Sequence, residues 1–232
     1  MVVFVTNDKK IRDIVKYIGQ GEDIVVTDKK GKYLGILQND KAIRYLHRPD
    51  TEIEKIMIKL KPLKNYDIIE IIEKIINSNT RSVVVKEDDK IEFISIFDIL
   101  NNVLEDKDIL NKLKIEEIMN PVYTIEEKEN VKKAVGLMKD KGVSRLIVVN
   151  EKGEAVGIIS LSDILRKLLI ENNENIRTPK EEDFDVEIRS IMNNRLIFVN
   201  KDENIENLIK LMINNKIFAV PVLDKGKPIG II

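Results

Sequence analysis

The sequence predicts a mixed α/β (α+β) fold built from four repeats of strand–helix–strand–strand–helix type. Three observations carry this reading. First, three short segments read almost alike: Ile53-Glu-Lys-Ile-Met57, Ile115-Glu-Glu-Ile-Met119 and Ile188-Arg-Ser-Ile-Met192. Second, each is followed by a short apolar segment and then by apolar residues at the i, i+3, i+4, i+7 spacing of one buried helix face. These are Ile68, Ile71, Ile72 and Ile75, then Val131, Ala134, Val135 and Met138, then Ile205, Leu208, Ile209 and Met212. A fourth copy opens the chain with Ile11, Ile14, Val15 and Ile18. Third, each helix pattern runs into a continuous apolar strand and a polar turn.

The strands are Ile24–Val26, Val83–Val85, Leu146–Val149 and Ala219–Val222. Such runs suit strands covered on both faces. The turns are Asp28-Lys-Lys-Gly31, Glu87-Asp-Asp89, Asn150-Glu-Lys-Gly153 and Asp224-Lys-Gly226, which is hairpin chemistry. A second glycine follows four residues later in three repeats, giving Gly31/Gly35, Gly153/Gly157 and Gly226/Gly230. The second repeat breaks the pattern with Asp89 and Phe93. Closing helices are expected near Lys41, Asp98 and Asp163, and the fourth repeat stops at Ile232 before one can form. The repeats are bounded at 1–48, 49–106, 107–170 and 184–232. A polar stretch, Glu171–Asp183 with Pro179, reads as an extended linker inside the second pair. A unit of this size buries too little alone, so the repeats should pack as pairs.

Composition excludes several functions. Charged residues make up 34%, yet the net charge is −1, which leaves no cationic excess for a general polyanion binder. With no cysteine and a single histidine, His47, disulfides, thiolate chemistry and a histidine metal cluster are not expected. His47 beside Arg48 and Pro49 reads as a helix-terminal cation. No acid/base pair with divergent environments stands out, so no catalytic residue is assigned. No apolar run approaches 18 residues and no secretory pattern opens the chain, so a soluble cytoplasmic protein is expected. The excess of Lys, Glu and Ile with only Gln20 and Gln38 leans toward a thermophile or an AT-rich genome.

The Ile-x-x-Ile-Met openings, the Val131-to-Met138 helix and the segment Gly153-Glu-Ala-Val-Gly157-Ile-Ile-Ser-Leu-Ser-Asp163-Ile-Leu165 resemble the CBS domain family, named for cystathionine beta-synthase. The resemblance covers almost the whole chain and is fullest in the third repeat. It implies repeats paired with pseudo-twofold symmetry, as Bateman modules, with clefts that bind AMP, ADP, ATP, S-adenosylmethionine or related ligands. Four repeats in one chain resemble the gamma subunit of AMP-activated protein kinase and its stand-alone archaeal relatives. A homodimer and a regulated protein partner are implied likewise.

In the family, a Ser/Thr-x-x-Asp segment opening the closing helix holds the ribose. Ser160 and Asp163 match it in the third repeat, Ser95 and Asp98 in the second. A carboxylate can accept both donors of a ribose diol. The same residues also suit an ordinary helix cap. Arg145 with Ser144, and Arg81, lie just before the core strands, where the resemblance puts the cleft. They read either as phosphate clamps or as solvated strand-end cations. Thr124 likewise reads as a ligand contact or a surface threonine. Arg166 and Lys167, read as lying just inside the closing helix against its dipole, hint at an anion. In the first repeat gap-free alignment from Gly35 puts Lys41 in the place of Asp163, and Asp40 takes it only if one residue is deleted, which worsens the apolar register; that cleft is either empty or binds differently. Met57, Met119 and Met192 read as equivalent core positions.

The leading reading is a regulatory small-molecule sensor, with no required cofactor and no metal. A purely structural or oligomerisation array and a nucleic-acid-binding protein of this family are the alternatives, the latter disfavoured by net charge. Four repeats use the whole chain and leave no room for a catalytic domain.

Overall fold

The computed structural model describes residues 3–18, 23–87, 90–171 and 175–232, which form two compact units. Unit 1 comprises Met1–Asn102 with Leu169–Arg177; unit 2 comprises Val103–Leu168 with Thr178–Ile232.

The first repeat runs β1 (Val3–Thr6), a 3-10 helix (Ile11–Tyr17), β2 (Ile24–Thr27), β3 (Tyr33–Leu37) and α1 (Asn39–Arg44). The second runs α2 (Ile53–Ile56), α3 (Ile68–Ser78), β4 (Ser82–Glu87), β5 (Lys90–Ser95) and α4 (Ile96–Glu105). After α5 (Lys107–Lys112), the third repeat comprises α6 (Ile115–Ile118), β6 (Thr124–Glu126), α7 (Val131–Lys141), β7 (Arg145–Val149), β8 (Ala155–Ser160) and α8 (Leu161–Leu169). Strands β9 (Ile170–Glu171) and β10 (Asn175–Ile176) follow. The fourth repeat has β11 (Val199–Asn200), α9 (Ile205–Asn215), β12 (Pro221–Asp224) and β13 (Lys227–Ile231).

One topology recurs. In β1-β2-β3, β6-β7-β8 and β11-β12-β13 the first two strands are parallel and the last two antiparallel. The helix supplies the crossover that a parallel pair requires. In the second repeat β4 and β5 form a two-stranded sheet, and a single parallel bridge from Leu63 to Val85 stands where the first strand would be. The middle strands are buried almost throughout, as their unbroken apolar runs predict.

The local chemistry repeats as well. Asp67, Asn130 and Asn204 each accept a backbone N–H of the following first turn, capping α3, α7 and α9. Asn79, Gly142 and Lys216 end the same helices in the left-handed region. The first repeat has Lys10 at the capping position, with no side-chain acceptor, and its helix is 3-10 rather than α. Its first two N–H groups donate instead to the Thr51 and Pro49 carbonyls. Ile11, Ile14, Val15 and Ile18 are nonetheless all buried.

Several expectations need correction. Ile72 is exposed on α3, alongside Ile69 and Ile76, while Ile71 and Ile75 carry the buried face with Leu63, Val83 and Val85. The last core strand begins at Pro221 rather than Ala219, although Val220 and Ile232 still exchange hydrogen bonds of 2.8 and 3.0 Å. The linker is not simply extended: β9 and β10 pair antiparallel within unit 1, and a 3-10 turn covers Glu181–Phe184 in unit 2. The expected turn at Asp88 and Asp89 lies outside the described residues.

Pairing of repeats is explicit. The segment after Met57 bridges Ile36 of β3, with Ile58 and Ile36 exchanging hydrogen bonds of 2.7 and 2.9 Å. In unit 2 the exchange is reciprocal. Asn193 bridges Ile158 of β8, and Asn120 bridges Ile231 of β13. Each opening segment thus docks on the outer strand of its partner repeat. Close approach explains the second glycine of each hairpin: a Cβ on Gly35 would stand 2.3 Å from the Ile58 carbonyl oxygen, and one on Gly230 would stand 2.5 Å from the Met119 sulfur. Met119 and Met192 are therefore half-buried lids over glycines rather than core residues like the buried Met57.

Candidate ligand-binding clefts

In the third repeat the sheet register gathers the expected site residues at one end. Arg145 pairs with Ser160 across β7 and β8, and Thr124 pairs with Ile147 across β6 and β7. The Leu161 N–H donates to the Ser144 carbonyl at 2.8 Å, which ties the start of α8 to the start of β7. Ser160 and Asp163 form a reciprocal box. The Ser160 N–H and hydroxyl donate to Asp163 Oδ2 at 2.8 and 2.6 Å, and the Asp163 N–H donates to Ser160 Oγ at 3.1 Å. Both bonds to the carboxylate fall on Oδ2; among the described residues no protein donor meets Oδ1. Asp163 is thus a cap that keeps an acceptor in hand.

A cavity of about 400 Å³ opens beside this box, lined by Asn120, Tyr123, Ser144 and Arg145 of the third repeat and by Phe218 and Ile232 of the fourth, among others. The Tyr123 ring carries the Lys141 ammonium 5.4 Å from its centroid. Ser160, Asp163 and Thr124 are not among the lining residues, and Thr124 is exposed. The residues just before it, Pro121 to Tyr123, take that role. Arg166 and Lys167 lie in the last turn of α8, where cations suit the dipole. Their position therefore carries no hint of an anion, because the helix is only 9 residues long.

In unit 1 the Ser95–Asp98 box has the same geometry, with bonds of 2.8 and 2.6 Å to Asp98 Oδ2, but Asp98 is exposed. A cavity of about 560 Å³ in this unit is lined instead by Asp23, Gln38, Lys41, Arg44, Tyr45 and Arg81, with Asn79 and Thr80. Of the expected residues only Arg81 lines it. Asp23 is 2% exposed and immediately precedes β2, as Arg81 precedes β4. Pairing of the two repeats brings these equivalent positions together. The Arg81 N–H donates to Asp23 Oδ2 at 2.9 Å and the Ser82 hydroxyl at 3.0 Å. Burial pushes the Asp23 carboxyl above its usual range, against the lowering by these bonds and by the Arg81 charge. Asp23, Tyr45 and Tyr123 escaped the sequence reading. For Asp23 a signal existed, because its offset from Gly35 equals that of Arg145 from Gly157.

His47 stands just past α1, its ring nitrogen donating to the Arg44 carbonyl at 2.7 Å. Among the described residues no group of three or more His, Asp or Glu side chains could hold a metal ion, and no helix is long and apolar enough to cross a membrane.

Paired strand–helix–hairpin repeats define the class of fold, and comparison with known proteins shows what the chain resembles. Residues 115–170 and 188–232 match the CBS domain model. An uncharacterized protein of Methanocaldococcus jannaschii, MJ1404, is 28% identical over 243 residues, covering 100% of this chain and 57% of that protein. A second uncharacterized protein, MK0525 of Methanopyrus kandleri, is 35% identical over 101 residues, 42% of this chain and 52% of that protein. The chain thus spans little more than half the length of these curated relatives. Among solved structures, protein MJ1225 of M. jannaschii, described as a proposed archaeal homologue of gamma-AMPK, shares the fold with a TM-score of 0.76. Its sequence is 22% identical, and the match covers 100% of this chain and 93% of that one.

Proposed function

We propose that the chain is a regulatory small-molecule sensor, with an adenosine-containing ligand (AMP, ADP, ATP or S-adenosylmethionine) bound between the third and fourth repeats. One observation carries the reading: Arg145 lines the unit 2 cavity, while its strand partner Ser160 opens the box that leaves Asp163 Oδ1 for a ligand. A guanidinium holds phosphate or carboxylate in two parallel bonds, a carboxylate holds a ribose diol, and Phe218 and Ile232 offer apolar walls to a base. The likeness of fold to a protein described as a gamma-AMPK homologue supports this reading. Occupancy would bias the packing of paired repeats, and a partner protein would read that bias.

Calorimetric titration with AMP, ADP, ATP and S-adenosylmethionine tests it. At least one ligand should bind, and Asp163→Ala should weaken it about tenfold or more, the scale of one charge-assisted contact. Unchanged affinity would reduce Asp163 to a helix cap. If no ligand binds, the array is structural.

A further inference from the structure

Helix α3 of the second repeat carries an apolar face that its own core does not use. Ile71 and Ile75 cluster with Leu63, Val83, Val85, Ile94 and Ile99. Ile69, Ile72 and Ile76, at i, i+3 and i+7, form an adjoining stripe and are 66%, 37% and 70% exposed. We propose that this stripe is the docking face for an amphipathic helix of a partner protein, one that carries Lys or Arg beside its apolar residues. The other repeats show that the repeat fold does not require the stripe. The position of Ile69, second in its helix, is held by Arg12, Lys132 and Glu206. That of Ile76 is held by Lys139 in the third repeat and by the half-buried Ile213 in the fourth. Val15 and Ile209, the counterparts of Ile72, are buried, whereas Ile72 meets solvent. Contiguous exposed isoleucine with no folding role marks an interaction surface.

Size and charge decide between occupants. Three isoleucines cover far less than the roughly 800 Å² per partner that a stable pairing of whole domains buries. Their spacing is that of the anchors by which a single helix docks. Glu73 stands four residues after Ile69 and three before Ile76, and Glu70 stands three before Glu73, so both exposed carboxylates lie on the border of the stripe. Among the described residues neither makes an ion pair. Lys74, the cation of α3, is two residues from Ile72 and from Ile76 and so lies off the stripe. A second copy of the chain would bring the same two glutamates to this border and no cation to answer them. Flanking Lys or Arg on a partner helix answers both.

A fluorescently labelled Leu/Lys amphipathic peptide of about 18 residues, long enough to hold a helix, is the probe. Titrated with the full chain at about 0.1 M salt and followed by anisotropy, it should bind with a Kd below about 0.1 mM. Its Leu/Glu twin should bind at least about fivefold more weakly, and Glu70→Gln/Glu73→Gln should bring the two peptides within about twofold. Ile69→Ser/Ile76→Ser, at exposed positions that leave the core untouched, should weaken the Leu/Lys peptide about tenfold or more while the urea midpoint stays close to wild type. Absence of binding, equal binding of both peptides to the wild-type chain, or undiminished binding to the Ile69→Ser/Ile76→Ser chain would overturn the assignment. So would a difference between the peptides that survives Glu70→Gln/Glu73→Gln. A dimer in sedimentation that Ile69→Ser/Ile76→Ser dissociates would give the face to a second copy and overturn it equally.

Discussion

Gly157 and Met192 belong to different repeats, yet a Cβ on Gly157 would stand 2.8 Å from the Met192 sulfur and 2.9 Å from the Asn193 carbonyl oxygen. Three glycines sit at such crossings, and what they face differs. The atoms nearest a Cβ on Gly35 are backbone atoms of Ile58 and Lys59, those nearest one on Gly230 belong to the Met119 side chain, and Gly157 meets both kinds of atom. Alanine should therefore cost most at Gly35, roughly 3 kcal/mol, and least at Gly230, about 1 kcal/mol. Gly157→Ala should fall between. Urea midpoints give the order, and the Gly230→Ala effect should shrink in a Met119→Ala background. Equal costs at all three positions would contradict this account of the repeat interface.

Asp23 makes a pH prediction whose sign follows from its environment. Its folded-state pKa is raised, so the folded chain holds a proton more tightly than the unfolded one. The associated stability is present below the ordinary value of 3.8 and is lost as pH rises through the folded value. Asp23→Asn removes this dependence. The urea midpoint of Asp23→Asn relative to wild type should rise between pH 4 and pH 7. A relative fall over that range would mean that the Arg81 N–H and Ser82 bonds outweigh burial.

Tyr33 has a buried hydroxyl with no hydrogen-bond partner among the described residues, and burial pushes its pKa upward. Its ring packs with Val25, Ile36 and Val84. Tyr33→Phe keeps that packing and removes a desolvated group, so it should stabilise the chain by about 1 kcal/mol. Thermal unfolding checks the sign; a lower midpoint would reveal a partner for the hydroxyl.

Much of the fold was legible because each repeat writes the same physics into sequence. Capping oxygens at Asp67, Asn130 and Asn204, apolar runs and turn glycines each fix a local element. The helix at Ile11 was harder to read, because Lys10 lacks the capping oxygen and distant carbonyls at Thr51 and Pro49 take the first N–H groups. Ile72 misled because the six isoleucines of α3 form one broad apolar stripe, and spacing alone cannot say which of them face outward. The clefts were only half legible. Arg145 and Arg81 were found from their position before a strand, but the walls opposite them come from the partner repeat. The meeting of Arg81 with Asp23, 58 residues away, depends on how two repeats pair, which no local pattern encodes.

The reading of unit 2 as a sensor stands or falls on where a ligand sits. A crystal structure of the chain with whichever adenosine-containing ligand binds best would measure this directly. The account predicts ribose hydroxyls within hydrogen-bond distance of Asp163 Oδ1 and the anionic group on the Arg145 guanidinium, in the cavity lined by Tyr123 and Phe218. A ligand bound in that cavity with Asp163 facing only Ser160, or bound elsewhere, would contradict it.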